Sequence, residues 1–408
     1  MSAWKRVTVS SIAAEKGLAG GPFGSSLGSK DYVDHGVPVI RGINLGSRGK
    51  FNDREFVFVT SEKANGELAR NLALPGDVVF TQRGTLGQVG IVPRIPFDKY
   101  VISQSQMRLR VCPEKALADF IYYQFRLPEM IATIKSRAIA TGVPHINLRI
   151  LASLEVALPP IDAQKAIIEV LGALDDKIET NEGIATTNEA LLACQFEQLK
   201  MVPDEQPIHG VPITEFVEFN PRMPAPSNPE AIYVDMAALS TDRAAITSWA
   251  YREPKSGTKF MNGDTLLARI TPCLENGKTG YVDFMSDDEI GVGSTEFIVM
   301  RARPNIPKHV SYFLARNRNF REHAIRNMVG SSGRQRVSAA DAAIFLLNRP
   351  NDYKLTAFGE AAATAFGYMQ SLERENRTLA ALRDTLLPEL VSGRLRVRDA
   401  ERIVEDAV

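Results

Sequence analysis

A chain of 408 residues, 44% hydrophobic and 24% charged, is too long for one ordinary core and too apolar for overall disorder, so it suits two or more globular domains. Its formal net charge of zero excludes a uniformly basic nucleic-acid binder, but not one whose charge is segregated along the chain. No window approaches the roughly 18 uninterrupted apolar residues of a membrane span, and Trp4, Lys5 and Arg6 lead into a mixed segment unlike a signal peptide.

The first globular stretch carries most of the positive charge, +7 over residues 1–155. Gly20-Gly-Pro-Phe-Gly-Ser-Ser26 and Gln82-Arg-Gly-Thr-Leu-Gly-Gln88 are Gly-rich loops that let backbone amides approach an anion. Leu74-Pro-Gly-Asp-Val-Val-Phe-Thr-Gln-Arg-Gly-Thr-Leu-Gly-Gln-Val-Gly-Ile-Val92 reads as turn, strand, loop, strand. Cys112, Cys194 and Cys273, scattered and without CxxC or His-pair spacing, match a reducing cytoplasm and no zinc site.

After Val156-Ala-Leu-Pro-Pro160 comes an acidic helix from about Asp162 to Lys200, within a stretch (residues 156–205) of charge −7. Leu171, Ile178, Ala185, Leu192 and Leu199 recur every seven residues, with Asn181 and Asn188 at d-type positions where a buried amide fixes register. Met201-Val-Pro-Asp-Glu-Gln-Pro207 is a linker.

The second globular stretch repeats the first. Met261-Asn-Gly-Asp-Thr-Leu-Leu-Ala-Arg-Ile-Thr-Pro272 follows the same plan, with Gly263-Asp264 lying 187 residues after Gly76-Asp77. Ser294-Thr-Glu-Phe-Ile-Val-Met-Arg301 answers Ser103-Gln-Ser-Gln-Met-Arg-Leu-Arg-Val111, and Gly330-Ser-Ser-Gly-Arg-Gln-Arg336 answers Thr141-Gly-Val-Pro-His-Ile-Asn147. A second heptad helix carries Phe358, Ala365, Leu372, Leu379 and Leu386 and ends near Leu390. Helices of about 35 residues at equivalent places in a repeat are expected to pair with each other rather than pack on their own domains.

The expected organisation is therefore α+β: two globular domains separated by two long helices that pair as an antiparallel coiled coil. The boundaries are 1–160 and 201–350 for the globular domains, 161–200 and 351–395 for the helices, and a C-terminal tail at 396–408.

The order of these motifs resembles the specificity subunits of Type I restriction–modification enzymes over nearly the whole chain. The resemblance rests on Gly21-Pro-Phe-Gly-Ser25, Pro38-Val-Ile-Arg-Gly-Ile-Asn44, Pro75-Gly-Asp-Val-Val79 and His145-Ile-Asn-Leu148. Leu158-Pro-Pro160 leading into Leu174-Asp-Asp-Lys-Ile178, and Leu386-Leu-Pro-Glu-Leu-Val-Ser-Gly-Arg-Leu395, complete it. The second half departs from the pattern, offering Tyr233-Val-Asp-Met-Ala-Ala-Leu239 in place of a Gly-Pro-Phe-Gly or Ile-Arg-Gly element. The resemblance implies two target-recognition domains, each reading half of a split double-stranded DNA target, on a helical spacer. It also implies docking of two DNA adenine methyltransferase subunits and of restriction motor-nuclease subunits. S-adenosylmethionine, ATP and Mg then belong to those partners, with no cofactor or metal in this chain.

Arg41, Gln82, Arg83, Thr85 and Gln104 in the first half carry side chains suited to guanine and adenine edges, while Lys30 and Arg48 suit phosphates. The second half offers Arg269, Thr271, Asn276, Lys278, Arg334, Gln335 and Arg336. For each the bland alternative is a solvated charge or a turn-capping group, and His145 and Asn147 suit loop fastening at least as well. An enzyme is not expected. Leu158-Pro-Pro-Ile161 lacks the amide of a methyltransferase tetrapeptide, and Gly291-Val-Gly-Ser-Thr295 opens toward a strand, not a phosphate-binding helix. No P-loop, HExxH or GxSxG occurs. The competing reading is a protein-interaction scaffold, an orphan or anti-restriction relative, that keeps the coil without useful DNA readout.

Overall fold

Each half of the chain builds the same three sheets with the same strand order. The computed structural model describes residues 4–407 apart from 47–48, 54, 140–141, 205–208, 255 and 332. They form two units, Met1–Glu179 with Thr378–Val408, and Thr180–Arg377.

The first unit contains β1 (Lys5–Thr8), β2 (Ala13–Gly20), β3 (Val37–Ile40), β4 (Val57–Val59), β5 (Leu72–Ala73), β6 (Val78–Thr81), β7 (Val89–Ile91), β8 (Tyr100–Ile102), β9 (Gln106–Val111) and β10 (Glu155–Leu158). β1 pairs with β10; β2-β9-β6-β7 form an antiparallel sheet; and β4-β3-β8-β5 form a mixed sheet in which β3 and β8 are parallel. The second unit contains β11 (Val211–Pro212), β12 (Val217–Phe219), β13 (Ala231–Val234), β14 (Ala250–Arg252), β15 (Thr258–Phe260), β16 (Thr265–Ala268), β17 (Thr279–Tyr281), β18 (Gly291–Gly293), β19 (Phe297–Ala302) and β20 (Leu346–Leu347). Its sheets are β11-β20, β12-β19-β16-β17 and β14-β13-β18-β15, with β13 and β18 parallel.

The central strands β6 and β16 are buried at every position, as continuous apolar runs predict for strands covered on both faces. The Gly-Asp turns that enter them are built alike. Gly76 (φ 87°) and Gly263 (φ 89°) take a backbone conformation that side chains resist. Asp77 accepts from the amide of Leu74 at 2.8 Å and Asp264 from that of Met261 at 2.9 Å. Each carboxylate also receives an arginine fork, Arg110 at 2.8 Å and Arg301 at 2.6 Å.

The long helices span Ile161–Gln198 and Asp352–Ser392. Asn351 accepts from the Lys354 amide at 3.1 Å to start the second, and Gly393 at φ 74° ends it. In the first unit Leu171, Leu174 and Ile178 pack in one core with Leu379, Leu386 and Leu390. In the second, Leu192 and Phe196 pack with Leu355, Phe358 and Phe366. The start of each helix thus meets the end of the other, an antiparallel pair. Leu372 is buried as well.

Three features differ from the sequence reading. Leu199 falls one residue past the helix and packs with Met201 in the globular core of the second unit. Asn188 donates to the carbonyl of Ile184 on its own helix at 2.9 Å, whereas Asn181 reaches Asn376 across the pair at 2.9 Å. The stretch expected as a tail forms a helix, Val397–Ala407. Its Val397, Ala400 and Val404, spaced for one helical face, pack on the first unit's core.

Candidate nucleic-acid interface

In the first unit four loops from distant parts of the chain are tied together. Gly21 donates to the carbonyl of Gln106 at 2.9 Å, and a Cβ there would lie 2.0 Å from the Ser103 carbonyl oxygen, so only glycine fits. The Gln104 amide donates to the carbonyls of Gly24 (2.6 Å) and Leu27 (2.8 Å), clasping the Gly-Pro-Phe-Gly loop. Gln82 donates to the carbonyl of Ser105 at 2.7 Å and accepts from the amide of Ile146 at 3.0 Å, and Arg83 bridges to His145. Asn147 caps the helix Leu148–Ser153 through the Ile150 amide at 2.9 Å, and His145 Nδ1 lies 3.1 Å from the Val143 carbonyl. Both residues therefore fasten loops.

On this cluster Arg83 and Thr85 are exposed and Gln82 is half-buried. Lys30 is exposed on the segment that Gln104 holds. Arg41 follows β3, whose Ile40 carbonyl accepts from Ser103, and its guanidinium donates to the Glu55 carbonyl. Arg48 lies outside the described residues. Asn44, fully buried, holds the Arg-Gly-Ile-Asn turn by accepting from the Arg41 amide at 2.9 Å and donating to the Asn52 carbonyl at 3.0 Å.

The second unit repeats the backbone bonds of the loop pair, though not the clasp on the Gly-Pro-Phe-Gly loop. Arg269 stands where Gln82 stands: its amide donates to the carbonyl of Glu296 at 3.0 Å, and its carbonyl accepts from Val337 at 3.0 Å. Ile270 bridges to Arg336 as Arg83 does to His145, and Val329 to Arg336 as Ile139 does to His145. Ala268 donates to the Lys278 carbonyl as Thr81 does to that of Gln88.

The side chains diverge. Arg336 forks onto the Glu296 carboxylate at 2.6–2.9 Å, and that hydrogen-bonded cation holds the Glu296 carboxyl below its ordinary range. Lys278 Nζ donates to the Met236 carbonyl at 2.8 Å. Thr271 and Gln335 satisfy each other, the Thr271 amide donating to the Gln335 carbonyl and the Gln335 amide to Thr271 Oγ1, both at 3.0 Å. Arg334 and Asn276 are exposed, and the Arg269 side chain is half-buried near Glu296. Sequence reasoning missed Glu296, whose only signal is its place in the repeat opposite Ser105.

Chemically, the first cluster offers an exposed guanidinium and hydroxyl, Arg83 and Thr85, and the second an exposed guanidinium and amide, Arg334 and Asn276, each on a hydrogen-bonded frame. Among the described residues no group of three or more His, Cys, Asp or Glu is arranged to hold a metal ion, and no helix is long and apolar enough to cross a membrane.

Residues 46–189 match the Type I restriction modification DNA specificity domain. The chain is 29% identical over 180 residues to the EcoAI specificity subunit of Escherichia coli, covering 42% of this chain and 29% of that protein. It is 28% identical over 229 residues to the EcoEI specificity subunit of the same organism, covering 51% and 37%. The matched stretches thus span about a third of those relatives' length. The fold is similar to that of the Type I restriction–modification S subunit from M. genitalium, with TM-score 0.52, 16% identity and coverage of 95% and 96%.

Proposed function

We propose that this chain is a Type I restriction–modification specificity subunit, as its match to the DNA specificity domain and to two specificity subunits supports, and that it binds DNA sequence-specifically without chemistry of its own, each unit reading one half of a split duplex target. The observation that carries this reading is the repeated loop pair. Two surfaces held by the same hydrogen bonds present different side chains, as two readers of dissimilar half-sites require. A bidentate contact to one base discriminates by about 1–3 kcal/mol. Two readers on a rigid spacer add those energies and restrict the separation of the half-sites.

The paired helices are the spacer, and they dock two adenine methyltransferase subunits, with motor-nuclease subunits added for restriction. Asp162, Glu169, Asp176, Glu179 and Glu197 are exposed on the first helix. Such a surface repels phosphates and favours a protein partner. S-adenosylmethionine, ATP and Mg belong to those partners, and the assembly works in the cytoplasm.

Salt separates this reading from a scaffold. Affinity for a duplex should fall steeply between about 50 and 200 mM salt as counterions are released. Assembly through the helices should change little over that range. Binding to DNA that is absent at low salt, in an intact assembly, would leave the scaffold.

A further inference from the structure

Phe23, 91% exposed, sits at the tip of the Gly-Pro-Phe-Gly loop. A phenyl ring in water gains nothing for the fold, and a mobile loop would let it collapse onto apolar surface. This loop is held. Gly21 is wedged against the Ser103 carbonyl, Pro22 is buried, Gly24 turns the chain at φ 58°, and Ser26 donates back to the Phe23 carbonyl at 3.2 Å. The Gln104 amide then binds the loop at two points just after the ring, the carbonyls of Gly24 and Leu27. Ser105, next to Gln104, also receives the Gln82 and Arg83 amides, so the loop that carries the ring shares one hydrogen-bonded frame with Gln82 and Arg83. Phenylalanine has no donor or acceptor and cannot read a base edge by hydrogen bonding. On a loop tied to the same frame as Gln82 and Arg83, an exposed ring has the chemistry of an apolar wedge that enters a base step and stacks on a base.

We infer that Phe23 inserts into the DNA duplex at one base step of the half-site read by the first unit, unstacking that step. This rests on the DNA-reading role proposed above and names a contact within it. The second unit has no Gly-Pro-Phe-Gly element, so the wedge acts on one half-site only.

The test uses the full-length chain assembled with its methyltransferase and a duplex carrying the methylated motif, with 2-aminopurine placed at successive positions. Besides the adenines that the methyltransferase flips out of the stack, wild-type protein should raise the fluorescence at one further position of one half-site. Phe23→Ala should abolish that rise and weaken binding about five- to 150-fold, whereas Phe23→Leu should keep part of both. Unchanged thermal unfolding of Phe23→Ala would show that the fold is intact. Tight binding with no fluorescent position beyond the flipped adenines in the wild type, or Phe23→Ala indistinguishable from it, would overturn the wedge and leave the reader standing. Loss of methyltransferase from Phe23→Ala with DNA binding retained would overturn it in favour of a protein contact. A wild-type assembly that binds no duplex would bring down the DNA-reading role itself.

Discussion

Asp175 on the first long helix and Arg383 on the second form a buried ion pair, Nη1 to Oδ1 at 2.7 Å, inside the first unit. The Tyr123 hydroxyl donates to the same carboxylate at 2.8 Å, and Arg126 lies 3.7 Å away. Burial, then the Asp175 charge, push the Tyr123 phenol far above its ordinary value. This network joins the helix pair to the globular part of its unit.

Removing one member should cost far more than removing both. Arg383→Met leaves the Asp175 carboxylate buried without its main partner and should destabilise the first unit by about 3–5 kcal/mol. Asp175→Leu with Arg383→Met should recover most of that, because an apolar pair avoids desolvating two charges. Urea unfolding followed by circular dichroism reads both; a single-variant loss under about 1 kcal/mol would contradict a buried role.

Within the second unit the Asn181 amide donates to Asn376 Oδ1 at 2.9 Å and to Glu375 at 2.8 Å, with Asn181 only 1% exposed. Asn181→Ala should cost about 1–3 kcal/mol by stranding buried polar partners. Asn181→Leu with Asn376→Leu should restore stability but loosen the helix register. Cysteine cross-linking across the pair should then trap several registers instead of one.

His309 packs on Phe366 and Tyr281, with ring centroids at 4.3 and 4.9 Å. Burial, then the nearby Lys308 charge, push its imidazole down to about 4. The unfolded chain therefore binds the proton first. Stability conferred by the neutral ring is intact above about pH 6.5 and is lost as pH falls toward 4, by up to about 3 kcal/mol. Asp283, pushed up to about 6 by burial, acts in the opposite direction over the same window. The readout is therefore the difference between wild type and His309→Phe, whose unfolding midpoint should fall less on acidification. Parallel pH profiles would contradict the assignment.

Arg334 and Arg336 lie two residues apart and should behave differently. Arg334 is exposed, whereas Arg336 is forked onto Glu296. Arg334→Ala should weaken DNA binding and lower the salt slope by about one. Arg336→Ala should chiefly loosen the loop pair, and Glu296→Gln should strengthen binding by freeing a cation. Equal losses from Arg334→Ala and Arg336→Ala, with Glu296→Gln neutral, would contradict this division.

The duplication and the helix pair were legible because their signals are local. Gly76-Asp77 and Gly263-Asp264 need a positive φ and a carboxylate reaching three residues back, and a seven-residue apolar period needs only one helix face. The state of the polar loop residues was not legible. Gln104 reaches carbonyls 77 and 80 residues away, Lys278 one 42 residues away, and Arg336 a carboxylate 40 residues away. Spacing within a motif carries none of that, so residues that look free to read DNA include several already engaged in the free chain. The C-terminal helix was overlooked although Val397, Ala400 and Val404 spell one apolar face, because the stretch is short and otherwise charged.

The central claim, two independent readers on one spacer, is tested most directly by mapping methyl-adenine in DNA from a host expressing this chain with its methyltransferase. The account predicts one split motif, with a fixed gap between two dissimilar halves, and a change in only one half when residues 1–160 are exchanged for another first domain. Methylation at an unsplit motif, or a change in both halves on that exchange, would contradict it.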